Sequence, residues 1–106
     1  MQAGGQLQCV LDVLDAHKAE AIEVLDVREK VAMFDYMVIA SGTSVRHQKA
    51  LAEYLRTDCR QRGLELISIE GLEQGQWVLL DFNAVLVHLM SPQARDFYDL
   101  EGLWTP

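Results

Sequence analysis

The stretch "SGTS", residues 41–44, is followed at once by Arg46, His47 and Lys49. Small residues ahead of a helix leave backbone N–H groups at the positive end of its dipole, an arrangement that can hold a phosphate. Ser41, Gly42, Thr43 and Ser44 are therefore a candidate anion-binding loop, although the GxxxxGK[ST] spacing of a P-loop is absent. Cations in a first helical turn oppose the dipole, so a negative group is expected nearby, and Glu70-Gly71 could supply it. Nucleotidyl transfer would require more: two carboxylates two residues apart on one strand face, to hold Mg²⁺. Asp26 is followed by Val27 and Arg28, and Asp81 by Phe82 and Asn83, so neither pair exists. No closely spaced His/Cys set suggests zinc, and no catalytic, metal or cofactor-binding residue is assigned. Cys9 and Cys59 stand alone in apolar periodic segments and read as buried, reduced thiols.

A second kind of chemistry is recognition. "RDFYDLEGLW" (95–104) places aromatics among carboxylates close to the chain end, and Trp77 lies in the same acidic half. The net charge is −7, and it is unevenly spread. Residues 64–106 carry Glu65, Glu70, Glu73, Asp81, Asp96, Asp99 and Glu101 against the single base Arg95, whereas residues 1–63 are nearly balanced. A nucleic-acid reader needs a basic footprint, and this half has the opposite; its partner should be a basic protein surface. Aromatics ringed by carboxylates suit that role. His88, inside "AVLVHLM", reads as a structural histidine on an apolar strand, and His17 as solvated near the end of the first helix.

The elements that must position these residues follow from periodicity. Leu7, Val10, Leu11 and Leu14 recur at helical spacing. "AIEVLDV" (21–27) alternates as a strand, with Ile22 and Val24 on one face and Ala21, Glu23 and Leu25 on the other. "YMVIASG" (36–42) is a short buried strand. Ser44 caps a helix that runs to Gly63, with His47, Leu51, Leu55 and Cys59 along its apolar stripe. "LELISI" (64–69) is the next strand. "QWVLLD" and "AVLVHLM" follow as a hairpin whose two-residue loop is Phe82-Asn83. Ser91-Pro92 opens a last helix with Phe97, Leu100 and Trp104 as its stripe. The order α-β-β-α-β-β-β-α predicts one domain over residues 1–106. Its fold class is α/β (α+β), a mixed five-stranded sheet with flanking helices, in which the strands at 36–42 and 64–69 form a parallel crossover unit. No apolar run reaches the length of a membrane span, and the acidic N-terminal stretch does not read as a signal or transit peptide. The expected location is the cytoplasm.

Four motifs in order, "DYMVIASGTSVRHQKA" (35–50), "EG" (70–71), "WVLLDFNAVLVHLM" (77–90) and "RDFYDLEGLW" (95–104), resemble the ribosomal silencing factors, or Iojap family. The resemblance covers nearly the whole chain. It implies a fold similar to a nucleotidyltransferase domain without that enzyme's acid pair. It implies binding to the large ribosomal subunit at large-subunit ribosomal protein fourteen, with steric blockade of small-subunit joining and lower translation in stationary phase or starvation. The family often has Gly-Asp in the hairpin where this chain has Asn83 and Ala84, which removes one carboxylate.

On this reading the residues that meet the ribosomal protein are Trp77, Asp81 and His88 on the hairpin, with Tyr98, Asp99, Leu100 and Glu101 in the tail. Phe97, Leu100 and Trp104 would pin the tail to the fold. No cofactor, membrane or sequence-specific nucleic acid is implied, and the chain is expected as a monomer or weak homodimer. The alternative is a nucleotide-binding enzyme that uses the Ser41–Ser44 loop.

Overall fold

The computed structural model describes residues 1–100 and 102. Helix α1 (Ala3–Ala16) buries Gln6, Cys9, Val10, Val13 and Leu14, while Leu7 and Leu11 lie at the margin of the core. Strand β1 (Glu20–Asp26) follows a tight turn at Lys18 and runs antiparallel to β2 (Tyr36–Ser41). The expected alternation in β1 is interrupted by an irregular register between Glu20 and Glu23, where Ala21 has a φ of 50°. Beyond it Leu25 is buried and Val24 is 41 % exposed.

Helix α2 (Val45–Gln61) has the ends its sequence specifies. The Ser44 hydroxyl accepts the His47 amide at 3.0 Å, satisfying one of the orphan donors of the first turn. At the other end Gly63, at φ 89°, donates to the Arg60 carbonyl, and Leu64 N–H reaches back to the Cys59 carbonyl. These two bonds form a Schellman motif. They also correct one boundary. Leu64 belongs to the helix cap, so β3 spans only Ser68–Glu70 rather than 64–69.

Strands β4 (Trp77–Asp81) and β5 (Val85–Met90) form the hairpin. Its loop lies one residue later than expected. Phe82 is buried and donates to the Val85 carbonyl, which leaves Asn83-Ala84 as the turn, with Asn83 at φ 86°. The sheet order is β1-β2-β5-β4-β3, and β2 pairs in parallel with β5, not with β3. The segment through α2 therefore carries the chain to the far edge of the sheet. Helix α3 (Pro92–Tyr98) begins at Ser91, whose hydroxyl accepts the Ala94 amide, and has Pro92 in its first turn.

The two faces of the sheet are covered differently. Val38, Ala40, Val78, Leu80, Val85, Val87 and Leu89 pack under α1 and α2 in the main core with Leu51, Leu55 and both cysteines. Cys9 and Cys59 are free thiols at zero exposure, and burial beside Cys9 pushes the Cys59 thiol up. On the opposite face a smaller cluster of Leu25, Val27, Met37, Ile39 and Met90 is packed, among the described residues, by Val31 and Phe34 of the β1–β2 connection, Ala94 of α3 and Leu100 beyond it.

Candidate functional site

On the thinly covered face Trp77 and Met90 are cross-strand partners, and so are Leu79 and His88. Trp77 and His88 are thus diagonal neighbours on one surface of the sheet. The indole Nε1–H donates to His88 Nδ1 at 2.9 Å. In the neutral ring that acceptor leaves the proton on Nε2, which is buried and has no hydrogen-bond partner. Burial pushes the His88 pKa down to about 4, so the ring is neutral at physiological pH. Tyr98 packs its ring on Trp77 at 4.7 Å between centroids, and Phe97 meets Tyr98 edge-on at 4.9 Å.

These three aromatics make a row from the sheet to solvent. Tyr98 is 53 % exposed and Phe97 81 % exposed. Phe97 therefore does not pin the tail. The helix stops at Tyr98 because Asp99 adopts the left-handed conformation (φ 46°), which breaks the expected stripe before Leu100. Leu100 does pack against the smaller cluster, while Glu101 and Trp104 lie outside the described residues. Asp96 and Asp99 are exposed beside the row. The Asp99 carboxylate also accepts the Gly102 amide at 3.3 Å.

Asp81 is elsewhere. It sits at the turn end of β4, about 14 Å along the strand from Trp77. Its carboxylate accepts the Asn83 amide at 2.8 Å and so shapes the hairpin. Of the seven expected contact residues the structure gathers Trp77, His88, Tyr98, Asp99 and Leu100 around α3, and separates Asp81 from them.

The Ser41–Ser44 loop is closed on itself. The Gly42 N–H donates to Gln48 Oε1 at 2.9 Å, and the Thr43 N–H to His47 Nδ1 at 2.9 Å. Ser41 Oγ accepts from Arg95, and Ser44 Oγ caps α2. The donors an anion would need at Gly42 and Thr43 already have partners. Asp26 is engaged by the Arg28 guanidinium, which holds its carboxyl low, at about 2.

Two residues hold this end of the molecule together: Gln48, which the sequence reading leaves out, and Gly71, which it names only within the EG motif. Gln48 is fully buried, and its amide nitrogen donates to the carbonyls of Gly75, Gln76 and Leu89 at 2.8, 3.1 and 3.3 Å. It thereby joins α2, the approach to Trp77, and β5. The signal was present: Gln48, not His47, lies three residues before Leu51 on the buried stripe. Gly71, at φ 83°, is the second. A Cβ there would lie 2.2 Å from the Trp77 carbonyl oxygen, so only glycine lets the chain pass. His17 is also placed differently than expected. Its ring stacks on Tyr54 at 3.6 Å and approaches Asp58 at 3.0 Å, and its carbonyl accepts from His47 Nε2.

A five-stranded mixed sheet with α1 and α2 on one face and α3 with its aromatic row on the other defines an α+β domain. The comparisons with known proteins make the class specific. The family described as "ribosomal silencing factor during starvation" matches residues 1–106, and the chain belongs to that family. It is similar to a ribosomal silencing factor of Chromobacterium violaceum, 38 % identical over 94 residues, which covers 89 % of this chain and 77 % of the relative. It is also similar to that of Haemophilus influenzae, 37 % identical over 98 residues, covering 92 % of this chain and 96 % of the relative. A mouse protein named for mitochondrial assembly of the ribosomal large subunit is 36 % identical over 104 residues; the match takes in 93 % of this chain and 45 % of that one. A crystal structure of a Chromobacterium violaceum protein superposes with a TM-score of 0.94 at 35 % identity, covering 100 % of this chain and 91 % of the other.

Proposed function

We propose that the chain docks on the large ribosomal subunit at large-subunit ribosomal protein fourteen and keeps the small subunit from joining. The observation that carries this reading is the Trp77–Tyr98–Phe97 row, rising from a thinly covered sheet face with Asp96 and Asp99 exposed beside it. Exposed aromatics supply most of the affinity at a protein interface, typically about 2 kcal/mol or more per central residue. Rim carboxylates add only about 0.2–1 kcal/mol each, but they select a basic partner and speed encounter. The names of the bacterial relatives, and of the mouse relative in large-subunit assembly, support a ribosomal partner.

The mechanism is occlusion in the cytoplasm. No bond is made or broken; the body of the protein occupies the place the small subunit would take. Translation falls when the cell starves because fewer subunits can pair. Sedimentation of the pure protein with isolated large subunits, small subunits and joined ribosomes tests this. Co-migration with the large subunit alone, and fewer joined ribosomes, is the expected result. Absence from every particle would end the reading.

A further inference from the structure

Helix α2 carries a separate, oppositely charged surface. At 100° per residue Arg46, Lys49, Glu53, Arg56 and Arg60 fall within one narrow arc. Arg46 and Arg60 are exposed, and Lys49 and Arg56 are half-buried. The two acids of the helix offset only part of this charge, leaving Arg46, Lys49 and Arg60. Glu53 is engaged by Arg56 at 3.6 Å, and Asp58 is turned toward α1 and bonded to His17. Among the described residues Arg46, Lys49 and Arg60 make no ion pair within 4.0 Å. The row extends about 21 Å along the helix. At its far end Arg56 and Arg60 line a groove with Glu65 and Ile67, on the approach to β3. Tyr54, the exposed aromatic of α2, lies on the other flank, stacked on His17.

We infer that this face of α2 is a contact for the phosphate backbone of RNA, on the side of the protein away from the aromatic row. In a chain of net charge −7, three cations with no ion pair among the described residues, set along one helix face, favour a polyanionic partner there. A protein interface would want an apolar centre, and no aromatic stands in the row. A linear polyanion needs only spaced cations, with no base readout. The inference extends the large-subunit reading: a domain that docks acidic-side-first on a basic ribosomal protein would otherwise be repelled by the surrounding RNA.

The test uses the intact chain and a short RNA duplex of arbitrary sequence, followed by amide chemical shifts at low salt. Shifts should gather at residues 45–61 and be lost in the triple variant Arg46→Gln, Lys49→Gln, Arg60→Gln, which keeps helix propensity. The log–log salt slope should be about −3 for the native chain and close to zero for the variant. Shifts elsewhere, an unchanged slope in the variant, or equally tight binding of polyglutamate would overturn it. Repeating the salt series on large subunits separates the two claims. Native binding with the same slope in the variant would overturn the RNA contact alone. Duplex binding without any particle binding would remove the ribosomal reading and leave the α2 contact standing.

Discussion

The two faces of the sheet are made by the same five strands and have opposite fates. Toward α1 and α2 every inward residue of β2, β4 and β5 apart from the marginal Tyr36 is buried, and the packing includes two helices of three turns or more. Toward α3 the same strands bury Met37, Ile39, His88 and Met90 but leave Trp77, Leu79 and Leu86 partly exposed, and the helix described on that face has seven residues. The first face therefore carries the stability. The second keeps apolar surface at a boundary with water, and a folded monomer does that at a cost unless a partner covers it. If that division holds, truncations on the first face should cost the most stability, and truncations of the exposed aromatics on the second, Tyr98 and Phe97, should leave the protein folded.

The largest effect is expected at Leu89, at zero exposure on β5 under the two long helices. Leu89→Ala should cost about 3–4 kcal/mol in urea unfolding, from lost transfer energy plus the cavity left behind. Gln48→Leu should follow at about 2–3 kcal/mol, because it strands the Gly42 N–H and removes the donor to the buried carbonyls of Gly75 and Leu89 and the partly buried one of Gln76. A loss below 1 kcal/mol for either would mean that the helix-covered face is not where stability resides.

His88 tests the boundary between the faces. Its folded pKa, about 4, lies below the unfolded value near 6.5, so as pH falls the unfolded chain takes up the proton first. The stability present at neutral pH is then lost progressively between about pH 6.5 and pH 4, by roughly 2 kcal/mol at pH 5. His88→Gln offers an amide oxygen to the Trp77 indole but does not titrate. Unfolding curves at pH 7 and pH 5 should show the native chain losing that much more than the variant. Equal losses would place His88 in contact with water.

What was legible in the sequence divides along the same line. The caps of α2 were readable because Ser44 and Gly63 act on their own neighbours. The main core was readable because its periodicity is local. For Gln48 the spacing from Leu51 marks an inward position, but its bonds to Gly75, Gln76 and Leu89 join segments 27 to 41 residues away and were not readable. Phe97 was assigned inward because the helix was expected to continue; nothing like glycine or proline announced the left-handed turn at Asp99. Trp77 and Tyr98 stood out as aromatics among acids, but their stacking depends on where the β4–β5 register sets α3. Asp81 shares strand β4 with Trp77, but the strand's length carries it to the opposite end of the hairpin.

The smallest stability effect is expected at Tyr98, and it is the most informative. Its ring lies on Trp77 but is half in water, so Tyr98→Ala removes one aromatic contact and opens no closed cavity. The cost should stay near 1 kcal/mol, the range for an aromatic pair. In the proposed complex the same ring would be fully desolvated at the centre of the interface. There its loss should weaken binding to large subunits by tenfold or more, about 1.4 kcal/mol or above. Leu89→Ala, assayed at a temperature where it remains folded, should bind almost normally. The crossed result, stability lost at one face and binding at the other, is what the division of the sheet requires. Tyr98→Ala with unchanged affinity would move the docking surface off the α3 side.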